Sequence, residues 1–506
     1  MYIRVFISAV LFFLSFPPFN LWFFIFPALF FFYYALLISE APFITGFIFG
    51  SISFGVILFG IQSIGYEAWI PLIILMGLLY AFLGKIFKFI AIKTSNNFFV
   101  LIGVLSIFDL LRAYFPFGGF PWGSTSTVLL TGYRDSLFNL LPSLFKTFGP
   151  TGYSLIIQSV TLIFVLLILD NQKKYFYLKD SLIFFTFLFI PLSIYLANSN
   201  LNLFLNNSIN EKVSVSIVQG NSPCPGAKNN CNDERKRIYE SHLNLTRSIQ
   251  NDKDLIIWPE SSTGFRNDPL IHERVLNDIS YEAQRLNSYF LIGGDRPIED
   301  KYFENYGVFI NNNGLIVDQY LKQHPVPFGE YIPFRDYLDW IPSLSLVPRD
   351  MIRGDKEKIF QLGSYKLSTV ISFEGSFQRY IRNSIQEGAE IIVILTNQAS
   401  YGQSGMSEQF LLMSRANAIS NDRPIIHSAI TGKSAFIDND GNILSDTNLF
   451  TAEILNQSIQ PIDSQTPYSL FGNYFNFFVI GFGFLVFLRR KLSLIHISEP
   501  TRHLFI

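Results

Sequence analysis

Charge is scarce in this sequence: 15% of its 506 residues are Asp, Glu, Lys or Arg, against about 25% in ordinary soluble domains. That shortage excludes a single water-soluble globule. With 49% of residues hydrophobic, a disordered or collagen-like chain is excluded as well. Cysteine is scarcer still. Cys224 and Cys231 are the only two, no CxxC, Cys/His cluster or HExxH occurs, and the six His are dispersed, so no metal site and no cofactor is expected. Neither sign of charge dominates: 38 basic and 39 acidic residues leave no electrostatic footprint for nucleic acid, and no such partner is expected.

What the chain has in quantity is Phe, 55 of them, and a positive mean hydropathy. The apolar residues are gathered at the two ends, over 1–198 and 469–492, while 199–468 has ordinary polarity. A spanning helix needs about 20 mostly apolar residues. Eight candidates follow at 4–16, 20–38, 43–61, 67–90, 98–112, 150–169, 180–197 and 470–488, seven ahead of the polar region and one behind it. The first lacks a small-residue cleavage site and runs through Ser15-Phe16-Pro17-Pro18 into the next, so it is read as a span rather than a signal peptide.

Lys85, Lys88 and Lys93, then Lys173, Lys174 and Lys179, then Arg489, Arg490 and Lys491 all fall on one side if both termini are cytoplasmic. The polar region then lies on the extracytoplasmic face. Cys224 and Cys231 there could pair or remain two free thiols.

Within the polar region, short β-branched runs alternate with amphipathic stretches. Val213 to Val218, Leu255 to Trp258, Tyr289 to Gly293, Leu367 to Ile371, Ile391 to Leu395 and Ile425 to Ser428 read as buried strands, with helices at 234–250, 270–286, 375–387 and 407–421. The expected fold is an α/β domain of about 260 residues attached to a helical membrane bundle. Functional residues then belong at strand ends, and three segments stand out. They are Trp258-Pro259-Glu260-Ser261, the run from Tyr320-Leu321-Lys322-Gln323-His324-Pro325 through Phe328-Gly329-Glu330-Tyr331 to Pro333, and Val370-Ile371-Ser372-Phe373-Glu374. A carboxylate, an ammonium and a hydroxyl so placed can act as general base, oxyanion-stabilising cation and nucleophile.

The combination resembles the nitrilase (carbon-nitrogen hydrolase) superfamily, whose Glu-Lys-Cys order it follows, and within it the apolipoprotein N-acyltransferase family. The segment Lys322 to Pro333 approaches K-x-H-L-V-P-F-G-E-Y-x-P. Val218-Gln219-Gly220-Asn221 and Gly118-Gly119-Phe120-Pro121-Trp122-Gly123, preceded by Arg112, match further motifs, and Thr396-Asn397, Tyr401-Gly402 and Gly432 match more loosely. The resemblance implies a nitrilase-like αββα sandwich and a two-step acyl transfer. Glu260 would be the base, Lys322 the oxyanion cation and Ser372 the nucleophile. Glu330 and Glu374 would orient Lys322 and shape the site, and Phe373 would line it. The implied partners are a phospholipid acyl donor resembling phosphatidylethanolamine, a diacylglyceryl apolipoprotein acceptor and the membrane, with the enzyme acting as a monomer.

One departure concerns the chemistry itself. The family's nucleophile is a Cys, and this chain has Ser372. A Ser-dependent acyltransferase, a catalytically silent relative that binds lipid or lipoprotein, and an introduced substitution are all compatible with that. A membrane-tethered amidase is disfavoured by the Pro-Phe-Gly-Glu-Tyr and Gly-Gly-Phe-Pro-Trp-Gly motifs. His324 is read as supporting at most, and Gln398-Ala399-Ser400 as a loop that sets substrate preference or has drifted neutrally. The tail from Ser493 resembles translated sequencing-adapter read-through, which would put 493–506 outside the native fold.

Overall fold

The computed structural model describes residues 2–132, 140–200, 211–222, 232–338 and 340–497. Cys224, Cys231 and the end of the tail lie outside the described residues. The chain divides into two compact units, one of residues 1–57, 71–198 and 471–506, the other of 58–70 and 199–470.

The first unit is helical. Helices span Tyr2–Leu14, Ile25–Ile38, Pro42–Ile57, Tyr66–Lys93, Phe98–Tyr114, Leu141–Leu169, Lys174–Asn200 and Tyr474–Ile497, one at each expected apolar run. Three of the helical segments, Tyr66–Lys93, Leu141–Leu169 and Asn171–Asn198, are long and apolar enough to cross a membrane. The third expected span stops early, at Ile57, and a 3-10 turn over Phe59–Ser63 follows as part of the other unit. Close packing there explains the break: a Cβ on Gly60 would meet Ser404 Oγ at 2.2 Å and the Tyr401 carbonyl at 2.8 Å. The sixth begins nine residues before Pro150, because Gly149, at φ 70° and ψ 174°, joins two helical pieces across a kink.

Phenylalanine fills the interior of this unit, with Phe32 and Phe49 stacked at 3.9 Å and Tyr80 against Phe49, Phe54 and Phe108. Buried Arg112 donates to the Tyr80 hydroxyl at 3.3 Å and sits 5.6 Å from the Phe54 ring. Buried Gln158 donates to Asp109 at 2.7 Å. The Gly-Gly-Phe-Pro-Trp-Gly segment folds back on the helix that carries Arg112, with Phe120 N donating to the Arg112 carbonyl at 2.8 Å.

Among its described residues the second unit has thirteen strands: β1 Val213–Gln219, β2 Leu255–Trp258, β3 Tyr289–Ile298, β4 Tyr302–Ile310, β5 Ile316–Leu321, β6 Asp350–Met351, β7 Ile359–Leu362, β8 Tyr365–Ile371, β9 Ile391–Thr396, β10 Ile425–Ala429, β11 Ala435–Ile437, β12 Ile443–Asp446 and β13 Glu453–Ile459. They form two sheets, ordered β13-β1-β2-β3-β4-β5 (with β6 on β4) and β12-β11-β10-β9-β8-β7. The central pairs β1/β2, β2/β3, β8/β9 and β9/β10 are parallel, as is the short β4/β6 pair, and the remaining pairs of both sheets are antiparallel.

The period of two in the sequence decides which sheet face each residue takes. Val215, Ile217, Leu255 and Ile257 meet Leu367, Ile371, Val393 and Leu395 in a core between the sheets. Val218, Ile256 and Trp258 point the other way, onto Tyr239, Leu243, Val275 and Ile279 of the helices Asn232–Arg247 and Glu273–Arg285. The helices Gln378–Gln386 and Met406–Asn421 flank the second sheet, giving an αββα sandwich.

Candidate active site

Strand ends deliver the chemistry-bearing residues. Glu260 lies two residues past β2, Lys322 one past β5, Ser372 one past β8 and Asn397 one past β9. Carboxyl ends of parallel strands are where an open α/β sheet exposes loops to a ligand.

Lys322 is fully buried, and its ammonium sits between two carboxylates, 3.2 Å from Glu260 Oε1 and 2.6 Å from Glu330 Oε1. Burial alone would lower its pKa, but Glu260 and Glu330 together outweigh it and hold the group protonated well above the usual lysine range. Burial pushes Glu330 up against the opposing pull of Lys322. Val326 N donates to the other Glu330 oxygen at 2.8 Å, so the Pro-Phe-Gly-Glu turn closes on its own carboxylate.

Glu260, 4% exposed, is held from three sides. Oε1 accepts from Lys322 and from Asn305 Nδ2 at 2.8 Å, and Oε2 accepts from Asn397 N at 2.6 Å. A carboxylate offers about four acceptor positions, so one remains for a proton from a nucleophile. Gly293 makes this placement possible: a Cβ there would come within 2.4 Å of the Pro259 carbonyl and 2.7 Å of Glu260 Cα.

Ser372 stands at φ 52°, a left-handed conformation rare outside glycine, where β8 gives way to the 3-10 turn Ser372–Ser376. Such a strand-to-helix turn lifts a side chain clear of the sheet. Ser372 is half-buried, and among the described residues its hydroxyl has no hydrogen-bond partner.

Glu374 does something other than orient Lys322. It is fully buried, and it accepts from Tyr320 OH at 2.8 Å, His324 N at 2.8 Å, Ile371 N at 2.7 Å and Gln323 N. The carboxylate ties the Tyr320 side chain ahead of Lys322, and the backbone just after Lys322, to the backbone just before Ser372. Burial lifts its pKa to about 7, against the backbone donors, Lys322 and Tyr320. His324 belongs to an aromatic cluster with Phe373, Phe377 and Tyr380, at 5.5, 4.7 and 5.9 Å. Burial first, then Arg379, Lys322 and Arg353, drive its pKa down to about 3, so the ring is neutral.

Asn305 and Asp295 were not singled out in the sequence, Tyr320 stood only at the head of the lysine segment, and Asn397 and Tyr401 were noticed only as loose motif matches. A polar Asn at a buried position of β4, within Tyr302–Ile310, was the available signal for Asn305. Its carbonyl also accepts Lys322 N at 3.0 Å, so one residue touches both the carboxylate and the lysine.

The sequence model of the carbon-nitrogen hydrolases matches residues 214–466, half of the chain. The chain belongs to the carbon-nitrogen hydrolase family. Ahead of the hydrolase domain, residues 8–163 match the apolipoprotein N-acyltransferase N-terminal domain. Curated relatives carry both parts. An apolipoprotein N-acyltransferase of Aquifex aeolicus is 27% identical over 472 residues, covering 89% of this chain and 96% of the relative. One from Rickettsia prowazekii is 28% identical over 417 residues, covering 79% and 78%. The match to one from Photobacterium profundum, 26% identical, spans about half of each chain, 52%. The carbon-nitrogen hydrolase domain is therefore joined here to the N-terminal domain of those acyltransferases.

Proposed function

We propose that this chain transfers an acyl group from a phospholipid to the α-amine of a diacylglyceryl-cysteine at the start of an apolipoprotein, in a bacterial membrane. The observation that supports this most directly is the Lys322 ammonium held between Glu260 and Glu330 at the strand ends that also carry Ser372, in a chain whose relatives over nearly its whole length are named apolipoprotein N-acyltransferases. Ser372 Oγ attacks the ester carbonyl while Glu260 takes its proton. The carbonyl oxygen gains charge beside Lys322. The ester C–O bond then breaks, and the lysophospholipid leaves with the proton from Glu260. In the second half, Glu260 accepts a proton from the incoming amine as nitrogen attacks the acyl-Ser372 carbonyl, and Ser372 leaves reprotonated.

A hydroxyl in place of a thiol makes the base more important, because Ser depends on proton removal in the transition state, whereas Cys is a few per cent thiolate at neutral pH. Eight spans with both termini cytoplasmic, a catalytic unit on the outer face and a monomeric enzyme complete the reading. The test supplies purified full-length protein with labelled phosphatidylethanolamine and a diacylated lipopeptide, and follows N-acylated product together with acyl adducts by mass spectrometry. Product and an adduct on Ser372, both lost in Ser372→Ala and product lost in Glu260→Ala, are expected. Saturable lipopeptide binding with neither product nor adduct identifies a silent binding protein instead, and product unaffected by Ser372→Ala removes Ser372 as nucleophile.

A further inference from the structure

Asn305 presents its amide nitrogen to Glu260, which leaves its Oδ1 buried with no hydrogen-bond partner. A buried acceptor without a donor is costly, and native sites seldom leave one so. The reverse amide orientation would be worse, setting Oδ1 against the Glu260 carboxylate. Some neighbour must therefore donate to Oδ1 if the amide is to stay turned toward the base.

Directly across the β3/β4 hairpin, in register with Asn305, is Asp295. Opposed residues of an antiparallel pair share a face, with Cβ atoms about 5 Å apart. Both side chains are buried, 6% and 3% exposed. We propose that Asp295 is a positioning residue for the acyl transfer, holding a proton that it donates to Asn305 Oδ1 and so fixing the Asn305 amide against Glu260.

An ionised Asp295 could not donate, and it would add a third carboxylate to a site where Glu260 and Glu330 already share one lysine. The surroundings favour the neutral form. Burial raises its pKa most, Ser261 donates to it and opposes this, Glu260 and Glu330 raise it further and Lys322 lowers it, leaving it at about 7. Tyr306, next to Asn305 on β4 but turned to the opposite face, lies within electrostatic reach of Asp295, and Arg296, its neighbour on β3, is engaged by Glu304. Ser261 satisfies one carboxyl oxygen while the other carries the proton. Above about pH 7 the donor is lost, and Asn305 no longer has a reason to keep its nitrogen toward the base.

This rests on the acyltransfer reading, and the experiment separates the two. Rate is measured from pH 5.5 to 9 on the full-length protein and on Asp295→Ala and Asp295→Asn. Asp295→Ala is expected to lower kcat about tenfold, the typical cost of one orphaned buried acceptor, with KM changed less than twofold. Asn donates at every pH, so Asp295→Asn should recover most of the lost kcat and abolish the decline that the unaltered protein shows as pH rises through about 7. A decline that persists in Asp295→Asn, or a variant as slow as Asp295→Ala, overturns the proposal. Infrared difference spectra, unaltered protein minus Asp295→Asn at pH 6, report the proton without turnover: a protonated-carboxyl band is expected, and its absence overturns the proposal. If no acyl transfer occurs in any sample, the functional reading fails while the infrared result still decides the proton on Asp295.

Discussion

Replacing Lys322 by Met separates what the lysine does for the fold from what it does for the reaction. The ammonium lies 3.2 Å from one carboxylate and 2.6 Å from another. At an effective dielectric constant of about 20 these contacts correspond to gross attractions of about 5 and 6 kcal/mol. Desolvation of a fully buried ammonium cancels much of this. Removing only the cation, however, leaves two carboxylates facing each other, and breaking a buried pair in that way costs about 3–5 kcal/mol. Hydrogen exchange of β2 and β5 amides in the full-length protein is the suitable assay, because it reads opening of this unit without requiring the whole chain to unfold in one step. A loss of 3 kcal/mol accelerates exchange roughly 100-fold. Adding Glu330→Gln removes the second charge and should recover a large part of that protection. Acyl transfer should not recover in the double variant, since loss of a charge at the developing oxyanion costs about 10²–10³ in rate. Exchange within tenfold of the unaltered protein in Lys322→Met, or equal exchange in the single and double variants, would refute the reasoning.

Gly293→Ala should push the Pro259–Glu260 peptide away from its seat and lower kcat by about tenfold or more, with about 1–3 kcal/mol of lost stability from overpacking. Gly481→Ala, where nothing lies within 4 Å of the added methyl group, serves as the control and should leave activity intact. His427 is fully buried between Gln398 at 2.7 Å and Ser414 at 3.0 Å, and burial lowers its pKa to about 3. Its unfolded form binds a proton below pH 6.5 that the folded form refuses, so stability is present above 6.5 and is lost as pH falls toward 3. His427→Gln should flatten the acid limb of the unfolding midpoint by at most about 1.4 kcal/mol per pH unit, and an unchanged limb would remove His427 from the account.

The central strands were legible because each is a short apolar run whose alternate residues face two different cores, as Leu255 to Trp258 do. Outer strands such as β5 and β13 were not, since half-exposed strands mix polar residues into the pattern and lose the contrast that marks a buried run. Glu260, Lys322 and Glu330 were found through resemblance to family motifs, and they come together as a charge triad. Asn305 and Asp295 carry no local signal of that kind, because what links them is the register of the β3/β4 hairpin rather than spacing along the chain. Glu374 was recognised for the wrong partner. A carboxylate two residues from a nucleophile invites an ionic role, and only the folded chain shows four donors, three of them backbone, converging on it.

Those four donors have a bearing on how such a chain can change over generations. The Glu374 brace joins the β5 and β8 strand ends, and among the described residues the Ser372 hydroxyl takes no part in the hydrogen bonding around the turn that holds it at φ 52°. Exchanging oxygen for sulfur at that place therefore breaks no side-chain hydrogen bond among the described residues. A chain can exchange one for the other and keep the Glu374 brace and the Glu260–Lys322–Glu330 triad in register.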